Sequence, residues 1–187
     1  MVGIIMATAK TGSFYLTETV IIPGGSALGT RVQGTMDLSA YVNVPTGQAI
    51  AIDSVDWIVQ DSAAFSQYAG QFLLGDGAIS YQLTDLNPST AFIRADNHSL
   101  IASGALNIDN TNNVVSHMVD LYPDNFGPSA LSEMFLCVND SLFVTAGNDG
   151  STVSAGDLAV TCRVRCRVVK LSQKDWMAIA IQSTAES

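Results

Sequence analysis

Charge is what the sequence has least of. Charged residues fill 13% of the 187 positions, about half of the ~25% usual in a soluble domain. A surface so poor in charge is cheap to desolvate, which favours packing against other protein. Basic residues are scarcer still: eight Lys and Arg against seventeen Asp and Glu give a net charge of −9. A free polyanion repels nucleic acid, so direct nucleic-acid binding is disfavoured. Cysteine occurs three times, at Cys137, Cys162 and Cys166, which is no disulfide framework. On one extended strand Cys162 and Cys166 stand ~13 Å apart. A disulfide needs Cα atoms within ~7 Å, and one zinc ion does not readily bridge such a gap, so buried free thiols are expected.

Catalytic inventory is equally thin. Of the two histidines, His98 in ADNHS reads as a surface residue and His117 in VVSHMVD as a half-buried strand residue. Neither has the second histidine that a β-barrel metal site requires. PGGSALG (23–29) carries a leucine where a nucleophile elbow needs glycine, and no phosphate-cradling glycine motif occurs. Asp53 and Asp56 are three apart, which on a regular strand sets them on opposite sides, against a glycosidase-like pair. NIDNTNN (107–113) offers oxygen ligands without the full calcium-loop pattern. No enzymatic activity, cofactor or metal is expected. Long apolar runs are also missing. Residues 1–9 (MVGIIMATA) lack the basic flank and length of a targeting signal. Nothing reaches the ~18 apolar residues of a membrane span, so no transmembrane segment is expected.

What the sequence does have is a period of two. In QAIAIDSVDWIVQ (48–60), Ile50 and Ile52 alternate with Ala49, Ala51 and Asp53, and Val55, Trp57 and Val59 then share a face. Similar short runs recur at 14–22, 31–38, 68–74, 78–83, 99–106, 114–121, 133–138, 142–146 and 157–171. Turn chemistry separates them: PGG at 23–25, PTG at 45–47, GDG at 75–77, NP at 87–88 and NDG at 148–150. NIDNTNN reads as a loop, and PDNFGPSALS (123–132) as the longest irregular connection. The pattern predicts an all-β fold: an antiparallel β-sandwich of jelly-roll type with about eight or nine strands. In SQKDWMAIAIQS (172–183), Ser172 and Asp175 are spaced as a capping box, and Trp176, Ile179 and Ala180 share one face. A short helix is expected there, docked on its own sheet or on a neighbour. One domain spans 1–187, with 1–12 as an N-terminal segment and 172–187 as a C-terminal helix and tail.

Charge is unevenly spread along this frame. Residues 1–162 carry fifteen acids and three bases, net −12, whereas 163–187 carry five bases and two acids, net +3. On the last strand Leu158, Val160, Cys162, Val164, Cys166 and Val168 fall on one face. Arg163, Arg165 and Arg167 line the other at ~6–7 Å intervals. They could be a solvated face paired with acids of a neighbouring strand. They could equally contact something anionic, since the guanidinium fork binds carboxylate and phosphate alike. With −12 elsewhere, the cheapest such partner is another copy of the chain. Arg163, Arg165, Arg167, Lys170 and Trp176 are therefore the candidate assembly or inner-face contacts.

These features together resemble a single jelly-roll viral coat protein: low charge, long polar loops at 107–113 and 123–132, and a long final strand ending in an amphipathic tail. SEMFLCVNDSLFV (132–144) followed by GDLAVTCRVRCRVVKLS (156–172) is similar to the closing strands of such coats. Coats of this kind that package RNA or single-stranded DNA usually carry a basic N-terminal arm, whereas MVGIIMATAKTGS has one base, Lys10. The armless form resembles the small major capsid proteins of icosahedral membrane-containing DNA viruses. That resemblance implies a structural capsid protein of the virion, self-assembling by lateral packing. Its partners would be copies of itself, other capsid proteins and an inner lipid layer. A jelly-roll carbohydrate-binding or receptor-binding module of a tail, fibre or secreted protein is the alternative. It would draw on Phe65, Tyr68, Tyr122 and Phe126 as aromatic platforms.

Overall fold

A computed structural model describes residues 7–119 and 135–185. Ten strands are formed among them: β1 (Thr8–Ala9), β2 (Phe14–Ile22), β3 (Arg31–Asp37), β4 (Gln48–Asp61), β5 (Gly77–Thr84), β6 (Leu100–Asp109), β7 (Val114–Val119), β8 (Phe135–Cys137), β9 (Ser141–Asp149) and β10 (Leu158–Lys170). One helix, α1 (Gln173–Ala185), follows. The predicted connection at 123–132, with Tyr122 and Phe126, lies outside the described residues.

The strands form two five-stranded sheets. In the first, β10 lies at the centre between β2 and β4, β8 adds to β4, and β1 continues the β2 edge along β10. The second runs β3-β9-β5-β6-β7. Every pairing is antiparallel, and the pairs are nested: β2 with β10, β3 with β9, β4 with β8, β5 with β6. A long hairpin rolled on itself into two facing sheets is the jelly roll. The chain is therefore an all-β jelly-roll sandwich with one short C-terminal helix, as its periodicity implies.

Alternation builds the core. Along β10 the residues Leu158, Val160, Cys162, Val164, Cys166 and Val168 are all buried, facing Ile79, Leu83, Leu142 and Val144 of the second sheet. Each such side chain contributes on the order of 1.5–3 kcal/mol when withdrawn from water. All three cysteines are free and buried. Burial pushes the thiols of Cys137 and Cys166 up to about 12, with nearby Asp85 and Asp53 respectively adding to the shift.

Three details depart from the sequence reading. First, the run at 68–74 is not a strand. Phe72 and Leu73 are adjacent and both buried, which a regular strand, pointing them to opposite faces, does not allow. The backbone instead makes a single 3-10 turn over Ala69–Gln71. Second, two residues of the N-terminal segment pair as β1, and β6 runs on into the expected 107–113 loop as far as Asp109. Third, β4 carries a bulge. Arg165 of β10 pairs with Ser54 but Cys166 pairs with Ile52, so Asp53 is the extra residue. The bulge moves the positions packed between the sheets from even numbers (Ile50, Ile52) to odd ones (Val55, Val59), while Ala49 and Ala51 are buried on the other face beneath α1.

Turns and helix follow their residue chemistry. Gly47 has φ +66 and packs against the Leu171 carbonyl, so a side chain is excluded by both conformation and space. At the start of α1, Ser172 donates to Asp175 Oδ2 at 2.8 Å and accepts from the Asp175 backbone N–H at 3.1 Å. The hydroxyl thus caps the Asp175 N–H as in a capping box, with the carboxylate returning to the Ser172 hydroxyl instead of its backbone N–H.

Candidate assembly face

The outer face of the first sheet brings most of the predicted contact residues together. Cross-strand pairing sets Arg163 of β10 between Thr17 of β2 and Asp56 of β4, and Arg165 between Tyr15 and Ser54. Thr161 lies next in the row, its hydroxyl 2.9 Å from that of Thr19. The Arg163 guanidinium sits 5.0 Å from the Tyr15 ring centroid, a cation–π contact. Among the described residues neither Arg163, Arg165 nor Lys170 has a carboxylate within 4.0 Å. Two guanidinium groups, hydroxyls and an exposed tyrosine thus form a polar, basic field in a chain of net charge −9.

Arg167 behaves differently from its neighbours. It donates to Asp53 Oδ1 at 3.0 Å, and Asp53, 2% exposed, also accepts from Ser13 Oγ at 3.0 Å. Asp53 follows Ala49 and Ala51 on the outer face, and the bulge brings Asp56, opposite Arg163, to that face as well. Asp53 and Asp56 consequently share a face, contrary to the expectation for a regular strand. Among the described residues the stripe of three is thus two arginines without an ion pair and one structural ion pair.

Trp176 is also used within the chain. It packs with Ala49, Ala51, Val138, Val169 and Leu171 beneath α1, and its indole N–H points to the Gln48 carbonyl at 3.4 Å. The helix thereby docks on its own sheet, covering one end of the outer face. Its other side leaves Met177 and Ile181 exposed, with Val44 of the β3–β4 connection beside Met177. Spacing of four residues puts Met177 and Ile181 on one helix face. Sequence reasoning singled out Trp176 but missed this apolar strip. The same i, i+4 spacing was its signal.

Elsewhere the described surface carries further apolar side chains. Phe65 is 71% and Tyr68 63% exposed. Phe65 is held at φ +57, a conformation rare for an aromatic residue. Its N–H donates to the Asp61 carbonyl, and its own carbonyl accepts from Gln60 Nε2 at 2.9 Å. His98 is exposed as expected; His117 is exposed rather than half-buried, its Nε2 2.6 Å from the Tyr81 hydroxyl. No three His, Cys, Asp or Glu side chains stand close enough to hold a metal ion among the described residues. No described helix is long and apolar enough to cross a membrane.

Comparison with known proteins adds little to this geometry. No family model and no curated protein sequence matches. Among solved structures the chain is similar to the VP1 pentamer of human polyomavirus 7, at 10% identity and a TM-score of 0.42 over 90% of this chain and 100% of that one. The BFDV capsid protein 60-mer gives 9% and 0.36 over 91% and 96%. Desmodium yellow mottle tymovirus gives 7% and 0.32 over 88% and 92%. Likeness at that level carries no argument about function; the nested strand pairing is what defines the class, a jelly-roll β-sandwich.

Proposed function

We propose that this chain is a structural capsid protein that builds a virion shell by packing laterally against copies of itself. The observation that carries the proposal is the combination of a 13%-charged sequence with large apolar side chains left exposed around a complete core. Tyr15, Ile21, Leu28, Val44, Phe65, Tyr68, Leu74, Met177 and Ile181 are all exposed. A monomer with that surface has apolar area to bury and little charge to strip from it. Arg163 and Arg165, which form no ion pair among the described residues, supply a directional contact to an anionic surface. The partner favoured is an acidic face of another copy; an inner lipid layer of a membrane-containing virion and other capsid proteins are the further partners that the family resemblance implies.

Sedimentation and electron microscopy of the purified chain test this. Assembly into closed particles or capsomers is expected, and a strictly monomeric species at high concentration in all salts would overturn it. The double change Arg163→Ser/Arg165→Ser is expected to weaken assembly while leaving the fold intact, because neither side chain is part of the core. The rival reading as a carbohydrate-binding module rests on Phe65 and Tyr68, presented by a hydrogen-bonded loop. Binding on a glycan array that is lost in Phe65→Ser would favour it.

A further inference from the structure

Strand β2 is an open sheet edge whose sequence is nearly symmetric about its own midpoint. Along one side it pairs with β10 over all nine residues, without a bulge. Its other side makes no backbone hydrogen bond to any described element. Proteins usually guard such an edge with lysine, proline, a bulge or an inward-pointing charge. FYLTETVII has only the last of these, Glu18, half-buried on the inner row beside Gly34 of β3.

Outward from Glu18 the residues match in kind: Thr17 with Thr19, Leu16 with Val20, Tyr15 with Ile21, Phe14 with Ile22. Two copies of β2 laid antiparallel about a two-fold axis at Glu18 set each residue opposite its match. On the outer row Thr17 then faces Thr19 and Tyr15 faces Ile21, both favourable cross-strand pairs. Tyr15 and Ile21, 53% and 41% exposed, each gain an apolar neighbour. Only Glu18 meets its own kind, and like charges directly opposite weaken a pair without forbidding it. We infer that two copies of the chain join edge to edge through β2, antiparallel and centred on Glu18. This join deepens the self-packing reading and rests on it. It makes one continuous sheet in the order β4-β10-β2-β2-β10-β4, with both basic rows on the same outer face. The two β10 strands stand three strand spacings apart, ~14 Å, beyond the ~8 Å Debye length at physiological salt. The arginines of the two copies therefore repel one another little.

Cysteine cross-linking of the full chain reads the register. The three native cysteines are buried, so a thiol introduced on β2 is the one that reacts. Glu18→Cys sets two thiols directly opposite, with Cα atoms ~5 Å apart, inside the range of a disulfide. Two Thr17→Cys chains stand two residues out of register, ~8 Å apart and beyond that range. An equal mixture of Thr17→Cys and Thr19→Cys chains restores a facing pair. Under mild oxidation with diamide, Glu18→Cys and the mixture are expected to give covalent dimers, and Thr17→Cys alone to give none. Glu18→Gln removes the facing charges and keeps the shape, so association should tighten about threefold at neutral pH. Unchanged or weaker association in Glu18→Gln would overturn the two-fold centre. So would equal cross-linking of Glu18→Cys and Thr17→Cys. Chains that assemble yet never cross-link through β2 would sink this inference and leave the self-packing reading standing. A chain that stays monomeric in all conditions would end both.

Discussion

Two buried aspartates in this sandwich meet opposite fates. Asp53 is matched: Arg167 and Ser13 both donate to it. Removing one member of a buried pair leaves the other uncompensated, at a cost of about 3 kcal/mol or more. Asp53→Ala should therefore lower the urea-unfolding free energy by about 3 kcal/mol, whereas Arg163→Ser should change it by no more than about 0.5 kcal/mol. Asp85 is under-matched. It is 4% exposed, Asn139 donates to Oδ2 at 3.2 Å, and Oδ1 has no partner among the described residues. Burial pushes its carboxyl up from 3.8 to about 6. The folded state thus holds this proton more tightly than the unfolded state. Below about pH 4 both states are protonated and Asp85 has no net effect. Stability is then lost as pH rises from about 4 to 6, and above that the ionised group costs up to about 3 kcal/mol. Asp85→Asn should remove that contribution, so the variant gains stability over the parent at pH 8 but not at pH 4. Denaturant midpoints at the two pH values read the difference.

At the scale of elements, β4 and α1 decide what the outer face looks like. The change of parity from Ile50 and Ile52 to Val55 and Val59 is written in the sequence, and it is the mark of a bulge. Taken as a simple tightening of pattern, it does not reveal that Asp56 joins Asp53 on the outer face. The run at 68–74 failed for a related reason. Apolar content alone resembles a strand, but adjacent Phe72 and Leu73 break the period of two. By contrast β2, β3, β5 and β10 were legible almost to the residue, because alternation and turn residues agreed, whereas β9 runs three residues past the expected 142–146, to Asp149. Cross-strand register lay beyond reach, and with it the pairing of Arg167 and the freedom of Arg163 and Arg165. Helix α1 was legible through its capping box. Its docking depends on Trp176, so Trp176→Ala should release it. The expected result is loss of helical circular dichroism with the β signal retained, since a helix this short is marginal alone. A cost of about 3–5 kcal/mol is expected where helix and sandwich unfold together.

For the whole molecule, net charge and surface apolarity pull in opposite directions. Copies carrying −9 repel one another, while exposed Phe65, Tyr68, Met177 and Ile181 favour contact. Raising salt screens the repulsion and leaves the apolar term in place, so association measured by sedimentation should strengthen up to moderate salt. The Arg163→Ser/Arg165→Ser double variant should fall furthest behind the parent at low salt, where its lost charges matter most. The position of β10 has a further consequence, for the order of events during synthesis. β2 and β4 do not pair with each other; each pairs with β10. The first sheet therefore has no centre until residue 170 has left the ribosome, several seconds after β4 at ~5–20 residues per second. The last strand to be made both closes the sandwich and carries Arg163 and Arg165. A half-made chain cannot present the basic face, so under the proposed assembly role the ability to engage a neighbour would arrive together with the finished fold.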